Sequence, residues 1–281
     1  MSALFVALVV GSAFLHALWN ALLRGQGDPE GASAAILAVA AAVAAGAVPL
    51  ASSPAFPLPA GLGWALVAGA CESGHFVTLA LALREAPLGV VYPLSRGGAL
   101  ALVWPASGLW LGERLTAPAA AGAAFLLVGL VMVGGERRGP VSARGVAWAV
   151  ACAACIAGYH LAYKGALSTG AAPSAVFATA LLVALPVTVA RLGRRGPGRV
   201  LEAWRANPLM IGAAGVLCGA SFLVLLVALS RGGAGAVVTL RNTSVLFALL
   251  LTWAIGERPR GLQVAGTVGV AAGAVLMGWP P

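Results

Sequence analysis

Along the chain, long apolar runs alternate with short polar breaks. Ten of these runs approach the 20 or so residues that a helix needs to cross the hydrocarbon core of a bilayer. They cover approximately Ala3–Leu23, Gly31–Leu50, Gly61–Leu83, Leu88–Leu111, Thr116–Val133, Arg144–Gly165, Ala172–Ala190, Pro208–Ser230, Gly235–Ile255 and Gly261–Met277. Between them sit most of the charges and many prolines, as in Asp28-Pro29-Glu30, Pro54 to Pro59, Glu136 to Pro140 and Arg191 to Arg205. The pattern predicts an all-α membrane protein with ten transmembrane helices.

Composition agrees. Of 281 residues, 60% are hydrophobic and 9% charged, against roughly 25% charged in soluble domains. So few charges exclude a cytosolic enzyme, a disordered chain and a nucleic-acid partner, despite the net charge of +9. The 38 glycines fit closely packed membrane helices. The first apolar run lacks a basic flank and an A-x-A cleavage site, so it is expected to be a retained span. Cys71, Cys152, Cys155 and Cys218 all lie in apolar stretches, where a thiol packs as a small hydrophobe. Cys152 and Cys155 have the CxxC spacing of redox and zinc sites, but Ala and Val surround them and no other ligand cluster lies nearby in the sequence.

The runs repeat. Gly112-Glu113-Arg114 recurs as Gly256-Glu257-Arg258, 144 positions later, and Gly122 and Gly129 recur as Gly266 and Gly273 at the same shift. Arg84 and Val90-Val91 correspond to Arg231 and Val237-Val238 at a shift of 147. This predicts two five-helix halves, 1–138 and 139–281, in one transport domain. An odd number of spans per half inserts the second half upside down. Inverted repeats of this kind place a substrate site near the midplane between halves.

Polar residues at membrane depth are costly and face a cavity or a partner. Here they concentrate on spans 1, 3, 4, 6, 8 and 9, while spans 2, 5, 7 and 10 are nearly bare. His16, Trp19 and Asn20 share a helix face, as do Tyr92, Ser95 and Arg96. Span 6 carries Tyr159, His160, Tyr163 and Lys164; span 8 adds Ser221; span 9 adds Thr239, Arg241, Asn242, Thr243 and Ser244. Glu72, Arg96 and Arg241 are the charges that fall within spans and not at their ends. One carboxylate neutralises at most one guanidinium, which leaves a surplus Arg suited to gripping an anionic group. Expected substrate-binding residues are therefore Arg96, Arg241, Trp19, Asn20, Tyr92, Tyr159, His160 and Asn242. Glu72, His75 and His16 are the expected proton or ion-pair residues. Trp64, Trp148, Trp204 and Trp279, near span ends, fit an interfacial belt.

Two five-helix halves, each ending in a Gly-Glu-Arg break and a Gly-spaced helix, resemble the EamA-type drug/metabolite transporter superfamily. So do Leu18-Trp19-Asn20 followed by Arg24, and Tyr159-His160 followed by Lys164. The resemblance implies a ten-helix alternating-access carrier, often an exporter of amino acids or other small metabolites. Its cavity would be lined by the same six spans. The mid-helix proline common in the family is absent from span 9, which runs Thr239 to Ser244 instead. His16-x2-Trp19-Asn20 and Tyr92-x3-Arg96 are similar to a branch found near phosphonate-utilisation functions, which again implies an anionic solute.

Orientation draws two opposite expectations. Twelve arginines lie in breaks on the side of the first loop and three cations on the other, which puts both termini outside by the positive-inside rule. The family resemblance implies both termini in the cytoplasm.

The expectation is thus a secondary transporter of a small anionic or zwitterionic metabolite in a bacterial inner membrane, with protons and membrane lipids as further partners. It would act as a monomer or weak homodimer, without cofactors. A non-transporting scaffold or lipid-binding subunit is the alternative. An intramembrane enzyme is less favoured, because no HExxH or Gly-x-Ser-x-Gly motif is present.

Overall fold

The computed structural model describes residues 2–86, 88–112, 116–134, 142–254 and 261–278, and these are helical throughout apart from turns and connections. Twelve helices follow in order: α1 (Ala3–Arg24), α2 (Pro29–Ala47), α3 (Pro59–Glu85), α4 (Leu88–Leu111), α5 (Ala117–Gly134) and α6 (Ala143–Ser168). Then come α7 (Pro173–Arg191), α8 (Gly196–Ala206), α9 (Pro208–Arg231), α10 (Ala234–Arg241), α11 (Ser244–Ala254) and α12 (Gly261–Gly278). Among the described residues, seven helical stretches are long and apolar enough to cross a membrane: α1, α2, α3, α6, α7, α9 and the run 234–251 through α10 into α11. The chain is an integral multi-pass membrane protein. Both copies of Glu-Arg in the repeated break, the junction at Gly139-Pro140, the Arg24 side chain and Trp279 lie outside the described residues.

The breaks read as polar in sequence hold the signals that start and stop helices. Ser2, Asp28 and Ser142 accept bonds from the backbone N–H groups of Phe5, Gly31 and Gly145 at the starts of α1, α2 and α6. Pro29, Pro59, Pro173 and Pro208 occupy first helical positions, where a missing N–H costs nothing. Gly112, which opens the first Gly-Glu-Arg break, has φ +65°, a left-handed conformation that ends α4 and that a side chain would disfavour.

Two differences from the sequence expectation matter. The break from Arg191 to Arg205 contains a helix, α8, too short to span. Span 9 is divided into α10 and α11 at Asn242-Thr243, although no proline lies there. Asn242 N and Thr243 N bond back three residues, to the carbonyls of Thr239 and Leu240, and so tighten the end of α10. Thr243 Oγ1 and Asn242 Nδ2 also donate to the Leu240 and Val238 carbonyls, at 2.7 and 3.0 Å. Short polar side chains that compete for the backbone interrupt the helix in place of a proline.

Without a hydrophobic force between helices in lipid, close packing holds the bundle. On α5 and α12 the repeated glycines meet each other. A Cβ on Gly129 would lie 2.5 Å from the Gly266 carbonyl oxygen, and one on Gly266 2.6 Å from that of Gly129. Between α3 and α6, Cys155 packs against Gly74 and Cys71 against Gly158; all four cysteines are free thiols.

On one side of the bundle, Arg199 of α8 clasps the start of α2. It donates to both carboxylate oxygens of Asp28, at 2.8 and 2.6 Å, and to Glu30 at 3.2 Å. The Arg199 bonds, with help from the Gly31 N–H, hold the Asp28 carboxyl down at about 2.

Candidate functional site

Buried polar residues lie on α1, α3, α4, α6, α9 and the α10–α11 segment, with Ser174 and Thr267 as the exceptions. This is the inner set that the polar census selected. Arg241 ends α10, where the negative end of a helix dipole favours a cation. It is 3% exposed. Its Nη1 donates to Ser12 Oγ, and its Nη2 lies 3.4 Å from Ser221 Oγ and 3.3 Å from His16 Nδ1. Ser12 and Ser221 each donate to the other's carbonyl, at 2.8 and 3.0 Å, clamping α1 to α9 behind the guanidinium. The guanidinium carbon sits 4.7 Å from the centre of the Phe222 ring, a cation–π contact. Every one of these partners is neutral.

Arg96 approaches the same imidazole from the other edge, with Nη2 3.4 Å from His16 Nε2. The tautomer of His16 decides what that contact is. Trp19 Nε1 donates to His16 Nδ1 at 3.2 Å, and Arg241 Nη2 points at the same nitrogen. Indole and guanidinium nitrogens are donors only, so Nδ1 is the acceptor and the ring hydrogen sits on Nε2. Arg96 Nη2 and His16 Nε2–H therefore face each other as two donors. An acceptor atom seated to one side, within hydrogen-bond reach of both, would satisfy the pair. Arg96 lies 5.8 Å from the centre of the Tyr92 ring. Among the described residues no carboxylate pairs with either arginine; the ion pairs there are those of Arg199 with Asp28 and Glu30.

Between α4, α6 and α10 a cavity of about 10 Å³ is lined by Arg96, Ala99, Ile156, His160, Val238, Arg241 and Asn242. That is room for about one water. His160 Nδ1 donates to the Ile156 carbonyl at 2.8 Å, leaving Nε2 as a lone-pair acceptor, and Nε2 is buried with no partner among the described residues. The cavity thus sets two guanidinium donors against one imidazole acceptor.

Glu72 stands apart from this group. Its Oε1 accepts from Tyr163 Oη at 2.6 Å, and its Oε2 is buried with no partner among the described residues. It pairs with neither arginine. His75 Nδ1 lies 3.2 Å from Cys152 Sγ.

Of the residues singled out in the sequence, Arg96, Arg241, His160 and Asn242 come together around the cavity. His16 joins the two arginines, and Trp19 orients His16. Tyr159 stacks on His160 with ring centres 4.3 Å apart. Asn20 gives its Nδ2 to the His16 carbonyl at 2.7 Å, so that nitrogen serves its own helix. Ser12 and Phe222 were not among the expected site residues. Ser12 lies one turn before His16 on the same face, a spacing that points to it in retrospect; Phe222 carries no such signal, because an apolar residue in an apolar helix looks like packing.

Residues 143–279 match the EamA-like transporter family. No curated protein matches the sequence. A solved crystal structure superposes with a TM-score of 0.76 at 21% sequence identity, covering 97% of this chain and 94% of that one, a likeness of fold. Residues 143–279 therefore belong to the EamA-like transporter family, within a chain that is an integral multi-pass membrane protein.

Proposed function

We propose that this protein is a secondary carrier, an exporter of a small anionic or zwitterionic metabolite such as an amino acid, working by alternating access. Two inverted halves, 1–138 and 139–281, would rock about the Arg96–His16–Arg241 group. Ten spans follow if α4, α5 and α12 join the seven long apolar stretches, with α10 and α11 forming one span. The packing partners support the repeat. Shifting each span by five carries the α3–α6 contact onto α9–α1 and the α3–α7 contact onto α9–α2, while α2–α7 and α5–α12 map onto themselves.

The observation that carries the substrate class is the donor–donor contact of Arg96 with His16, beside an Arg241 whose partners are all neutral. A buried Arg241 and a partly buried Arg96, without a carboxylate, favour a carboxylate, phosphate or phosphonate oxygen between them. His160 Nε2, an acceptor on the same cavity, suits an ammonium or hydroxyl group on the same solute. Tyr92, Tyr159, Trp19 and Asn20 would shape the pocket, and Asn242 would contact the solute at the helix break. Glu72, with His75 nearby on α3, is the proposed proton site, since its free oxygen suits a protonated carboxyl better than an unpaired ion.

Solute counterflow in proteoliposomes tests the reading. After a thermal-shift screen of carboxylates, phosphonates and amino acids, the expected result is exchange of an anionic or zwitterionic solute that Arg96→Gln and Arg241→Gln each impair. Unchanged affinity in both variants sinks the anchor role, and exchange of neutral solutes alone sinks the substrate class.

A further inference from the structure

The helix that the sequence pattern did not foresee, α8, has 11 residues and lies between α7 and α9. Its apolar residues fall on two different faces. Val200 and Ala203 pack against the bundle core. Leu201 and Trp204, one turn apart on another face, remain 45% and 40% exposed, and Leu209 at the start of α9 is 87% exposed. The Trp204 ring edge stands 3.9 Å from where a Cβ on Gly212 of α9 would lie, so the indole runs along the outer wall of a membrane-spanning helix.

Charge is gathered around the same surface. Residues 191–209 contain five arginines against one acid, Glu202. Arg199 is taken by Asp28 and Glu30, and Arg191 donates to the Phe76 carbonyl at 2.8 Å. Arg194, Arg195 and Arg205 are exposed, and their side chains make no hydrogen bond or ion pair among the described residues. The Arg199 clasp fixes α8 against α2; Arg205 lies on this helix, and Arg194 and Arg195 lie in the turn that leads into it.

We propose that α8 and the turn before it form a docking surface for the phosphate groups of anionic lipids. Arg194, Arg195 and Arg205 engage the headgroups while Leu201 and Trp204 enter the boundary with the acyl chains. Two features favour a lipid over a free phosphate. A soluble anion would use the arginines but leave Leu201, Trp204 and Leu209 in water. The apolar face is also continuous, through Trp204 and Gly212, with the wall of α9. An interfacial helix with a basic side and a Trp anchor meets both solvents at once.

The test uses purified full-length protein in detergent, with bound lipid counted by native mass spectrometry. Phosphatidylglycerol, phosphatidylcholine and inorganic phosphate are the three probes. Wild-type protein is expected to retain phosphatidylglycerol over phosphatidylcholine, and millimolar inorganic phosphate is expected not to displace it. Each arginine changed to Gln in R194Q, R195Q and R205Q should weaken phosphatidylglycerol roughly fivefold. Equal retention of the two lipids by wild-type protein overturns the proposal, as does full displacement by phosphate or a triple variant that binds like wild type. The wild-type comparison decides the matter even if a variant fails to fold, and none of the readouts depends on transport.

Discussion

The Tyr163 hydroxyl on α6 donates a 2.6 Å hydrogen bond to Glu72 Oε1 on α3, joining the two helices at a point where both residues are buried. Glu72 Oε2 has no partner among the described residues. Removing the donor leaves a buried carboxyl without its bond, so Tyr163→Phe is expected to lower stability by about 1–3 kcal/mol in a detergent melt. Glu72→Gln keeps the shape and the acceptor for Tyr163 but cannot exchange a proton. It is expected to retain solute counterflow and to lose accumulation driven by a pH gradient. Gradient-driven accumulation that survives in this variant eliminates Glu72 as the proton site.

For the arginines the expected effect is on binding more than on folding. Charge-assisted bonds from guanidinium to an oxyanion contribute on the order of 1.5–3 kcal/mol. Arg96→Gln is therefore expected to weaken an anionic solute by about 10- to 100-fold, with a small change in melting temperature, because among the described residues Arg96 makes one polar contact, at 3.4 Å, beside a Tyr92 ring 5.8 Å away. Arg241→Gln is expected to lose affinity and stability together, since Arg241 is held by Ser12, Ser221 and Phe222. Affinity from solute titrations, set beside melting curves, separates the two cases.

The clasp between α2 and α8 carries a pH signature. Asp28 is held at about 2 in the folded protein, chiefly by Arg199, below an ordinary aspartate near 3.9. A depressed carboxyl stabilises the fold above its unfolded value and loses that contribution as pH falls through the folded one. Asp28→Asn is expected to melt below wild type at pH 7, with the difference shrinking between about pH 4 and pH 2. Solvent screening of this partly exposed pair keeps the difference modest. A gap that stays constant over that range removes Asp28 as its source.

Where α5 and α12 meet, space is the limiting quantity. Gly266→Ala places a methyl group 2.6 Å from the Gly129 carbonyl oxygen, and overpacking of this kind costs about 1–3 kcal/mol. Gly46→Ala on α2 is the control, because nothing lies within 4 Å of the added carbon. Gly266→Ala is expected to lower the melting temperature and Gly46→Ala to leave it unchanged or raise it. Equal melting of the two variants removes the close crossing as a stabilising contact.

The helical runs were legible in the sequence because their signal is local: about 20 apolar residues in a row, bounded by charge, proline and an N-cap. The repeated glycines at 122, 129, 266 and 273 were legible as a repeat but not as a contact. Small residues are so common here that spacing alone names no partner, and the meeting of Gly129 with Gly266 depends on where two distant helices cross. The division of span 9 was half visible. Its run of short polar residues stood out, yet apolar length argued for continuity, and backbone bonds to Asn242 and Thr243 decided otherwise.

By itself the sequence determined that this chain lives in a membrane, which residues could bear charge there, and which six spans hold most of the polar residues. It did so because burying a charge in lipid is costly enough that the exceptions identify themselves. Only the tertiary structure decided how those exceptions are paired. A count of charges predicted that Glu72 would offset one arginine, whereas packing gives Glu72 to Tyr163 and brings both arginines to the two edges of His16. Pairing depends on distances of a few ångströms between helices far apart in the chain, and no spacing along one helix records them.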